Sequence, residues 1–506
     1  MVSELTRRSW IVITAVGITL TTQAQNLDYR VEAQATVANN KSPLWLNANK
    51  YGLSSIDKSN GYLRAAAERS LSEDSTRRWG WGAALDMAVA YGFTSTFVLQ
   101  QGYVEGRWLH GTLTIGSKEY PMELKNNHLS SGSQTLGINA RPVPQIRLAL
   151  PEYTKIWPWL YIKGHVAYGW FTDGNWQEDF TRDRQEHVEG VRYHSKAGYL
   201  RFGRPDKPFT VEAGLEMAAQ YGGKKYNADG TLKSTRSAGL KEMWDVFWGA
   251  GGDPGEGEFA NASGNQLGSW VLRINWDKPS YRVSAYADHY FNDHSQMFFL
   301  DYDGYGSGDE WNDKKDNRYY RYALKDNLWG LELNLKHFTW VRNVVGEYLY
   351  TKYQSGPIYH DHGTLVSYHL GGNDDYMNHN FYGAWQHWGQ VMGNPLYTSP
   401  IYNSDGKIRV ESNRFWAWHF GMDGILSDRM KTVNVITYRM LLTWQKSWGT
   451  YKDPYVPTRK NTSMLVELGY AIKGGWSVQA AASFDHGEIY GNNKGVQLTI
   501  IKKGRL

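Results

Sequence analysis

Two stretches of the sequence place flat aromatic rings beside amide and carboxylate groups. Their members are Trp244, Asp245, Phe247 and Trp248 in the first stretch, and Asn380, Trp385, Gln386 and Trp388 in the second. A sugar can stack its C–H face on an aromatic ring, while its hydroxyl groups need hydrogen-bond partners such as amides and carboxylates. We therefore predict that these eight residues bind polysaccharide. The alternative is that the rings fill space, because aromatic loops also pack on themselves.

Two other segments contain residue types that bind metal ions. The range Asp301–Gly306 begins like a calcium-binding loop, with acids at its first and third positions and glycine at its sixth, but Asn312 stands where a bidentate glutamate is needed. His360 and His362 flank Asp361, yet the sequence does not locate a further ligand for them. We therefore predict no metal site and no cofactor.

Covalent catalysis has little support in the sequence. The chain has no cysteine and no G-x-S-x-G motif, which excludes a cysteine nucleophile and leaves the serine hydrolases without their signature. A glycosidase needs two carboxylates at a set separation, which a sequence does not define. The candidates for such a pair are Asp253, Glu256, Glu258, Asp374 and Asp375. We predict no catalytic residues, and a glycan hydrolase stays open as an alternative.

The elements that must position these residues are long strands of period two. From Trp79 to Tyr91, and again from Phe209 to Tyr221, apolar residues occupy every second position, and each apolar row begins and ends in an aromatic ring. A strand of this length spans about 40 Å, and a tilt of about 40° reduces its height to about 30 Å, close to that of a membrane with its aromatic girdles. The pattern therefore predicts strands that cross a membrane.

Similar alternation recurs to the C-terminus, with polar residues on the opposite face of each strand. Closing such strands into a barrel leaves no unpaired edge in lipid. We predict an all-β fold, a transmembrane antiparallel β-barrel of about 18 strands, whose long loops partly plug the lumen. A soluble β-propeller or sandwich is the alternative. The long connections, rich in Gly, Asn, Asp and His, are Ser117–Pro144, Lys241–Gln266, Asp301–Arg318 and Tyr353–Pro400.

The N-terminus has the order of features found in a secretory signal. Arg7 and Arg8 precede an apolar stretch from Trp10 to Leu20, and small residues follow, so cleavage is predicted near Ala24. Residues 1–24 are then a signal peptide, and residues 25–506 form one barrel domain in the outer membrane. The formal net charge of +5 over 506 residues is too small to indicate a nucleic-acid-binding surface. We predict a monomer in contact with outer-membrane lipid.

Six blocks of sequence, spread in order over the mature chain, resemble the Wzi-family capsule-assembly proteins. The blocks are Ser42–Gly52, Lys118–Leu148, Trp329–Leu333, Gln354–His360, Gly393–Pro400 and Trp448–Tyr451. The resemblance implies an outer-membrane barrel of about eighteen strands that acts as a lectin for capsular polysaccharide at the cell surface. Family members also have a small helical bundle on the periplasmic side. In this sequence only Tyr62–Leu71 has an ambiguous helical pattern, and no convincing amphipathic helix is found elsewhere.

Three functions from different classes therefore remain. We favour an outer-membrane lectin that binds capsular polysaccharide and helps to anchor or assemble the capsule. A porin or saccharide channel would share the barrel and would differ by conducting ions. A glycan hydrolase would release reducing ends from purified polymer.

Overall fold

A computed structural model of the chain describes residues 27–204, 206–250, 263–292, 297, 326–354, 359–360, 369–370, 374–427 and 434–506. Within these residues, eighteen strands form one continuous antiparallel sheet. The first strand pairs with both the second and the last, so the sheet closes on itself and leaves no free edge. The closed barrel confirms the predicted fold class and strand number.

We number the barrel strands β1 to β18 in chain order, and each pairs with the next. Their bounds are Asp28–Ala38, Ser59–Arg69, Trp79–Tyr91, Phe97–Trp108, Gly111–Ser117, Gln145–Trp157, Leu160–Trp170, Arg192–Phe202, Phe209–Tyr221, Asn265–Asp277, Tyr281–Phe291, Asn327–Leu335, Asn343–Tyr350, Phe415–Ile425, Val435–Gly449, Pro454–Ala471, Trp476–Gly487 and Asn493–Arg505. The two stretches whose alternation indicated strands are β3 and β9, with the predicted bounds.

The barrel wall has two chemically different faces because side chains alternate along each strand. On β3, Leu85 and Val89 point outward and are more than half exposed, whereas Asp86 and Ala88 point into the lumen and are buried. An apolar outer face and a polar lumen are what a bilayer around a barrel requires. The helices within the described residues include none that is both long and apolar enough to cross a bilayer.

The two ends of the barrel differ in the length of their connections. One end carries short turns, such as residues 109–110, 158–159 and 278–280, and also both chain ends, since Asp28 pairs with Arg505. The other end carries long connections, including residues 118–144, 222–264 and 351–414. In outer-membrane barrels the short turns face the periplasm and the long loops face the cell exterior. The long connections therefore form the extracellular mouth.

Two helices of eight or more residues occur in the described chain, α1 (Gly174–Thr181) and α2 (Leu240–Trp248), and both lie in connections at the extracellular end. The smaller helical turns are Leu44–Asn47, Leu71–Asp74, Pro400–Tyr402 and Lys473–Gly475. A three-stranded sheet at the mouth contains His187–Glu189, Gly223–Tyr226 and Leu232–Arg236. Three pairs of strands, each strand only two residues long, are antiparallel. They are Tyr359–His360 with His369–Leu370, Asn378–His379 with Gly383–Ala384, and Gln386–His387 with Gln390–Val391.

The structure resolves the ambiguous helical pattern of Tyr62–Leu71 as a strand. Most of this range belongs to β2, because its small and polar residues alternate between the lumen and the outer wall as paired strands require. The segment Lys241–Gln266, in which no helix was expected, contains nearly all of α2. The predicted signal peptide, residues 1–24, and the range Asp301–Arg318 lie outside the described residues.

Candidate functional site

Three inward-folded segments, residues 42–55, 118–144 and 374–410, lie inside the lumen, and we call them the plug. Their apolar side chains form one buried core with lumen-facing side chains of the wall. The plug contributes Trp45, Leu129, Tyr376, Trp385, Leu396 and Tyr397, and the wall contributes Tyr193, Leu267, Tyr290 and Phe415. Burial of this many large side chains fixes the plug firmly to the wall.

Buried polar contacts fix the position of the plug on the wall. Lys125 Nζ lies 2.7 Å from Asp288 Oδ2, and the backbone N–H of Gln134 donates to the same oxygen at 2.9 Å. Nearby, Glu347 accepts from the backbone N–H of Ser131 at 2.8 Å. Charged groups are stable in such surroundings only when their partners are in place. The segment 118–144 is thus held at defined points rather than by apolar contact alone.

A glycine in the wall lets the plug backbone approach closely. A side chain at Gly421 on β14 would place its Cβ 2.6 Å from the carbonyl oxygen of Leu129. That carbonyl accepts a hydrogen bond from His419 Nε2 at 2.8 Å. Only glycine leaves room for this contact between wall and plug.

Two of the predicted polysaccharide-binding residues lie inside the plug. Trp385 is fully buried, its indole N–H donates to the carbonyl of Thr135 at 3.1 Å, and its ring stacks on Tyr193. Gln386 is also buried; it donates to Asp173 Oδ2 at 2.7 Å and accepts from the backbone N–H of Gly389 at 2.7 Å. In this conformation both side chains hold the plug together and neither reaches the solvent.

Trp388 lies closer to the extracellular surface and is partly exposed. The Arg141 guanidinium lies 4.4 Å from the centroid of its ring, and its indole N–H donates to Thr172 Oγ1 at 3.2 Å. Arg141 also donates to Thr94 and Ser95 in the turn after β3. Trp388 is therefore held in one orientation at the mouth, with one ring face covered by the guanidinium.

The other predicted cluster does not join this group. Trp244, Phe247 and Trp248 lie on α2 and contact one another, with ring centroids 5.0 to 5.8 Å apart. Asp245 on the same helix forms an ion pair with Lys241 at 2.6 Å. The helix packs on the outer wall of the barrel, against Ala219 and Tyr221 of β9. The structure thus separates the two predicted clusters, one in the plug and one outside the barrel.

The mouth contains a cleft of about 670 Å³ between the plug and the three-stranded sheet. The described residues that line it are rich in side-chain amides and include aromatic rings. The amide, imidazole and aromatic side chains among them include those of Gln185, Asn265, Gln266, Asn378, Asn380, His379, Phe381 and Tyr382. Asn380 is the member of the predicted set that lines this cleft, and its side chain is exposed. The arrangement can offer donors and acceptors to a chain of hydroxyl groups.

A salt-bridge network forms one side of the cleft. Arg409 bridges Asp375 at 2.8 Å and Asp453 at 2.9 Å. The Asp375 carboxylate also accepts from the side-chain amides of Asn378, at 2.9 Å, and Asn413, at 2.6 Å. The carboxylate of Asp375 therefore stabilises the conformation of the described part of the connection 351–414.

On the opposite side of the cleft, Lys225 and Glu186 connect the three-stranded sheet to the plug. Lys225 Nζ donates to the backbone carbonyl of Asn380 at 2.7 Å and lies 2.7 Å from Glu186 Oε2. Lys233 also pairs with Glu186. Partial burial raises the pKa of the Glu186 carboxyl, but the hydrogen bonds from Lys225 and Lys233 outweigh it and bring the pKa below its ordinary value. The carboxylate is therefore ionised at neutral pH and holds Lys225 beside Asn380.

Sequence reasoning missed Lys225, Glu186 and Arg409. They are isolated charged residues in different connections, and no spacing or motif distinguishes them from other surface charges. Phe381 and Tyr382 could have been found from the same aromatic-amide pattern that identified Asn380, because they follow it directly.

A second cavity, of about 370 Å³, lies between the plug and the inner wall of β4 to β9. Its lining includes Thr135 and Met392 in the plug, Gln145 and Tyr193 near the extracellular end of the wall, and Leu71 and Glu152 near the short-turn end.

Several residues considered for chemistry lie outside the described part of the chain. These are Asp253, Glu256, Glu258, Asp361, His362, the range Asp301–Gly306 and Asn312. Among the residues that the structure does describe, no three His, Asp or Glu side chains are grouped as a metal site.

Comparison with known proteins identifies the fold. No family model matches the sequence, and no curated protein matches it. The structure is similar to Wzi of Escherichia coli, an outer-membrane protein involved in group 1 capsule assembly and described as a carbohydrate-binding β-barrel. The two share 14% sequence identity and a TM-score of 0.59, over 98% of this chain and 88% of that chain.

Two further solved structures align over most of the chain at lower similarity. OprD of Pseudomonas aeruginosa has 10% identity and a TM-score of 0.44, over 95% of each chain. OccAB4 of Acinetobacter baumannii has 9% identity and a TM-score of 0.43, over 96% of this chain and 99% of that chain. The closed barrel, its apolar outer face and the similarity to Wzi together identify an outer-membrane β-barrel protein.

Proposed function

We propose that the protein binds capsular polysaccharide at its extracellular mouth and helps to anchor or assemble the capsule, without covalent chemistry on the polymer. The observation that carries this proposal is an amide-rich cleft of about 670 Å³ beside the plug. The buried core between plug and wall favours retention of a ligand at the mouth over its passage through the barrel.

The chemistry of the cleft suits a sugar polymer. Gln185 and Asn380 each carry an amide that can both donate to and accept from hydroxyl groups. Phe381 and Tyr382 line the cleft but are themselves buried, and Arg236 lies 4.4 Å from the centroid of the Phe381 ring, so these rings shape the wall of the cleft. The cleft is within the size range of ligand sites, about 300–1,000 Å³. The described carbohydrate binding of Wzi is compatible with this proposal, although similarity at 14% identity concerns the fold.

The predicted residues take different parts in this proposal. Asn380 and Trp388 are proposed to contact the polymer, because both are accessible at the mouth. Trp385 and Gln386 are proposed to act indirectly by holding the plug in place. The residues of α2 lie outside the mouth and are not part of the proposed surface.

Binding of purified capsular polysaccharide to the detergent-solubilised protein tests the proposal. Asn380→Ala and Lys452→Ala, both in the cleft lining, should each weaken binding by about 0.5–1.5 kcal/mol, the net free energy of one hydrogen bond. Lys58→Ala is the matched control, because Lys58 is an exposed lysine at the same end of the barrel and does not line the cleft. Equal effects at positions 452 and 58 would contradict the assignment of the cleft.

The alternatives give different results in the same preparation. A porin or saccharide channel would conduct in a planar bilayer and would bind no polymer. A hydrolase would shorten the polymer and release reducing ends. If the proposal holds, cells that lack the protein make polymer and shed more of it into the medium.

A further inference from the structure

Helix α2 is folded against the outside of the barrel. On β9, Gln220 points into the lumen and donates to the carbonyl of Ala384 in the plug. Its neighbours Ala219 and Tyr221 therefore point outward. They are nevertheless only 2% and 4% exposed, because Val246 of α2 packs on them.

The helix covers the extracellular rim of the wall. At that rim Trp170 of β7 pairs with Arg192 of β8, and Arg192 pairs with Tyr221. One row below, Tyr168 donates to the carbonyl of Met243 in α2 at 3.0 Å, and His194 lies 5.9 Å from the Phe247 ring. Rows of one face are two residues apart, so these two rows span about 7 Å along the strands. An interfacial helix buries its apolar face about 5–10 Å into the boundary between headgroups and acyl chains, which matches this extent.

A cation on the outer wall is satisfied by the helix. Lys196 is two residues after His194 on β8, so its side chain also points outward. Its ammonium donates to the carbonyl of Phe247 in the last turn of α2. It also lies 4.8 Å from the Phe247 ring centroid. The C-terminal end of a helix carries partial negative charge, and a lysine facing lipid is costly without such a partner. The helix thus covers a position where this part of the wall would otherwise present a charge to the bilayer.

The flank of the helix next to this packed side presents large exposed apolar residues. Leu240, Trp244 and Trp248 follow one another at intervals of four and are 82%, 60% and 63% exposed. Lys241 and Asp245 form a paired polar stripe beside them. An apolar stripe next to a polar one is typical of helices that lie in a membrane interface, where tryptophan is enriched.

We propose that α2 is inserted in the outer leaflet of the outer membrane, with Leu240, Trp244 and Trp248 in contact with lipid. The stripe is continuous with the lipid-facing wall of β7 to β9, on which the helix lies. The aromatic residues of α2 then anchor the mouth laterally in the membrane and do not bind polymer. This inference does not depend on the proposed polysaccharide binding.

The absence of cysteine from the chain allows a direct test. Trp244→Cys and Trp248→Cys are each labelled with a nitroxide and reconstituted in phosphatidylcholine vesicles. Collision of the label with oxygen and with a water-soluble nickel complex reports its depth. Leu85→Cys, on the outer wall, is the lipid reference, and Asp229→Cys, exposed in the mouth, is the water reference.

The expected result is a several-fold higher ratio of oxygen to nickel-complex collision at positions 244 and 248 than at position 229, approaching that at position 85. Purified capsular polymer should leave both values unchanged. A collision ratio at positions 244 and 248 equal to that at position 229 would overturn the proposal. If adding polymer then lowered the collision of these labels with the nickel complex, the helix would be assigned to sugar binding instead. Leu240→Cys reports on the same stripe if either tryptophan variant fails to give the heat-modifiable migration of a folded barrel.

Discussion

Lys125 Nζ lies 2.7 Å from Asp288 Oδ2, and this ion pair joins the plug to strand β11. The two side chains are 1% and 0% exposed, so Asp288→Asn would leave an unpaired ammonium in a buried site. We expect the free energy of unfolding to fall by about 3–5 kcal/mol, the cost of breaking a buried pair. Denaturant unfolding measures this change, and planar-bilayer conductance reports whether the plug has loosened.

The double variant Lys125→Met with Asp288→Asn separates the charge from the packing. Removing the unpaired ammonium should recover part of the lost stability, because a neutral side chain is not penalised by burial in the same way. A double variant less stable than Asp288→Asn alone would contradict the assigned role of the pair.

Trp385 and Trp388 are close in sequence but differ in burial, and this difference predicts different mutant behaviour. Trp385→Ala leaves a cavity in the plug and should cost about 3–5 kcal/mol of unfolding free energy. Trp388→Ala removes a partly exposed ring with a cation–π contact and should cost about 1 kcal/mol. Thermal unfolding of the two variants tests this order. Polymer binding should fall for Trp388→Ala even though the barrel stays intact.

Adjacent positions on β3 test which face meets lipid. Leu85→Arg places a charge near the middle of the outer wall and should cost about 2–4 kcal/mol. Ala84→Arg points the same side chain into the lumen, between Glu68 and Tyr103 on the paired strands, and should cost much less. The fraction of folded barrel recovered in vesicles measures both. Equal losses would mean that the face assignment is wrong.

The link between Glu186 and Lys225 makes the cleft resistant to mild acid. Because hydrogen bonds lower the pKa of Glu186 in the folded protein, the link is present at neutral pH and is lost only as the pH falls through that lowered value. Hydrogen exchange of residues 223–236 should therefore be the same, after correction for intrinsic rates, at about pH 7 and about pH 5. Glu186→Gln should increase that exchange already at neutral pH, and no increase would indicate that the link contributes nothing.

Strands were predictable because the two faces of the wall meet different solvents. Trp79–Tyr91 and Phe209–Tyr221 were predicted with the observed bounds, since each residue of the wall faces either lipid or the lumen and the sequence must alternate accordingly. The same reasoning failed for Tyr62–Leu71, where alanines carry too little apolar contrast to distinguish a strand from a helix.

The candidate site was less predictable, because burial of a loop residue depends on segments far away in sequence. Trp385 and Trp244 are both loop tryptophans by sequence, yet one is covered by Tyr193 and Thr135 and the other lies on the outer surface. Helix α2 is only nine residues long and falls below the length at which periodicity is informative. The partnership of Lys225 with Asn380 likewise joins residues that lie 155 positions apart in the sequence.

The pairing of β1 with β18 also determines when the molecule becomes complete during biosynthesis. Until Asn493–Arg505 has been made, β1 keeps an open edge that no other strand is placed to satisfy. The plug also joins distant parts of the chain, because Trp45 donates to Thr443 of β15. Wall and plug therefore both depend on contacts between residues far apart in sequence. A prematurely terminated chain would give neither a weaker binder nor a leaky pore, but an unclosed sheet for cellular proteases to remove.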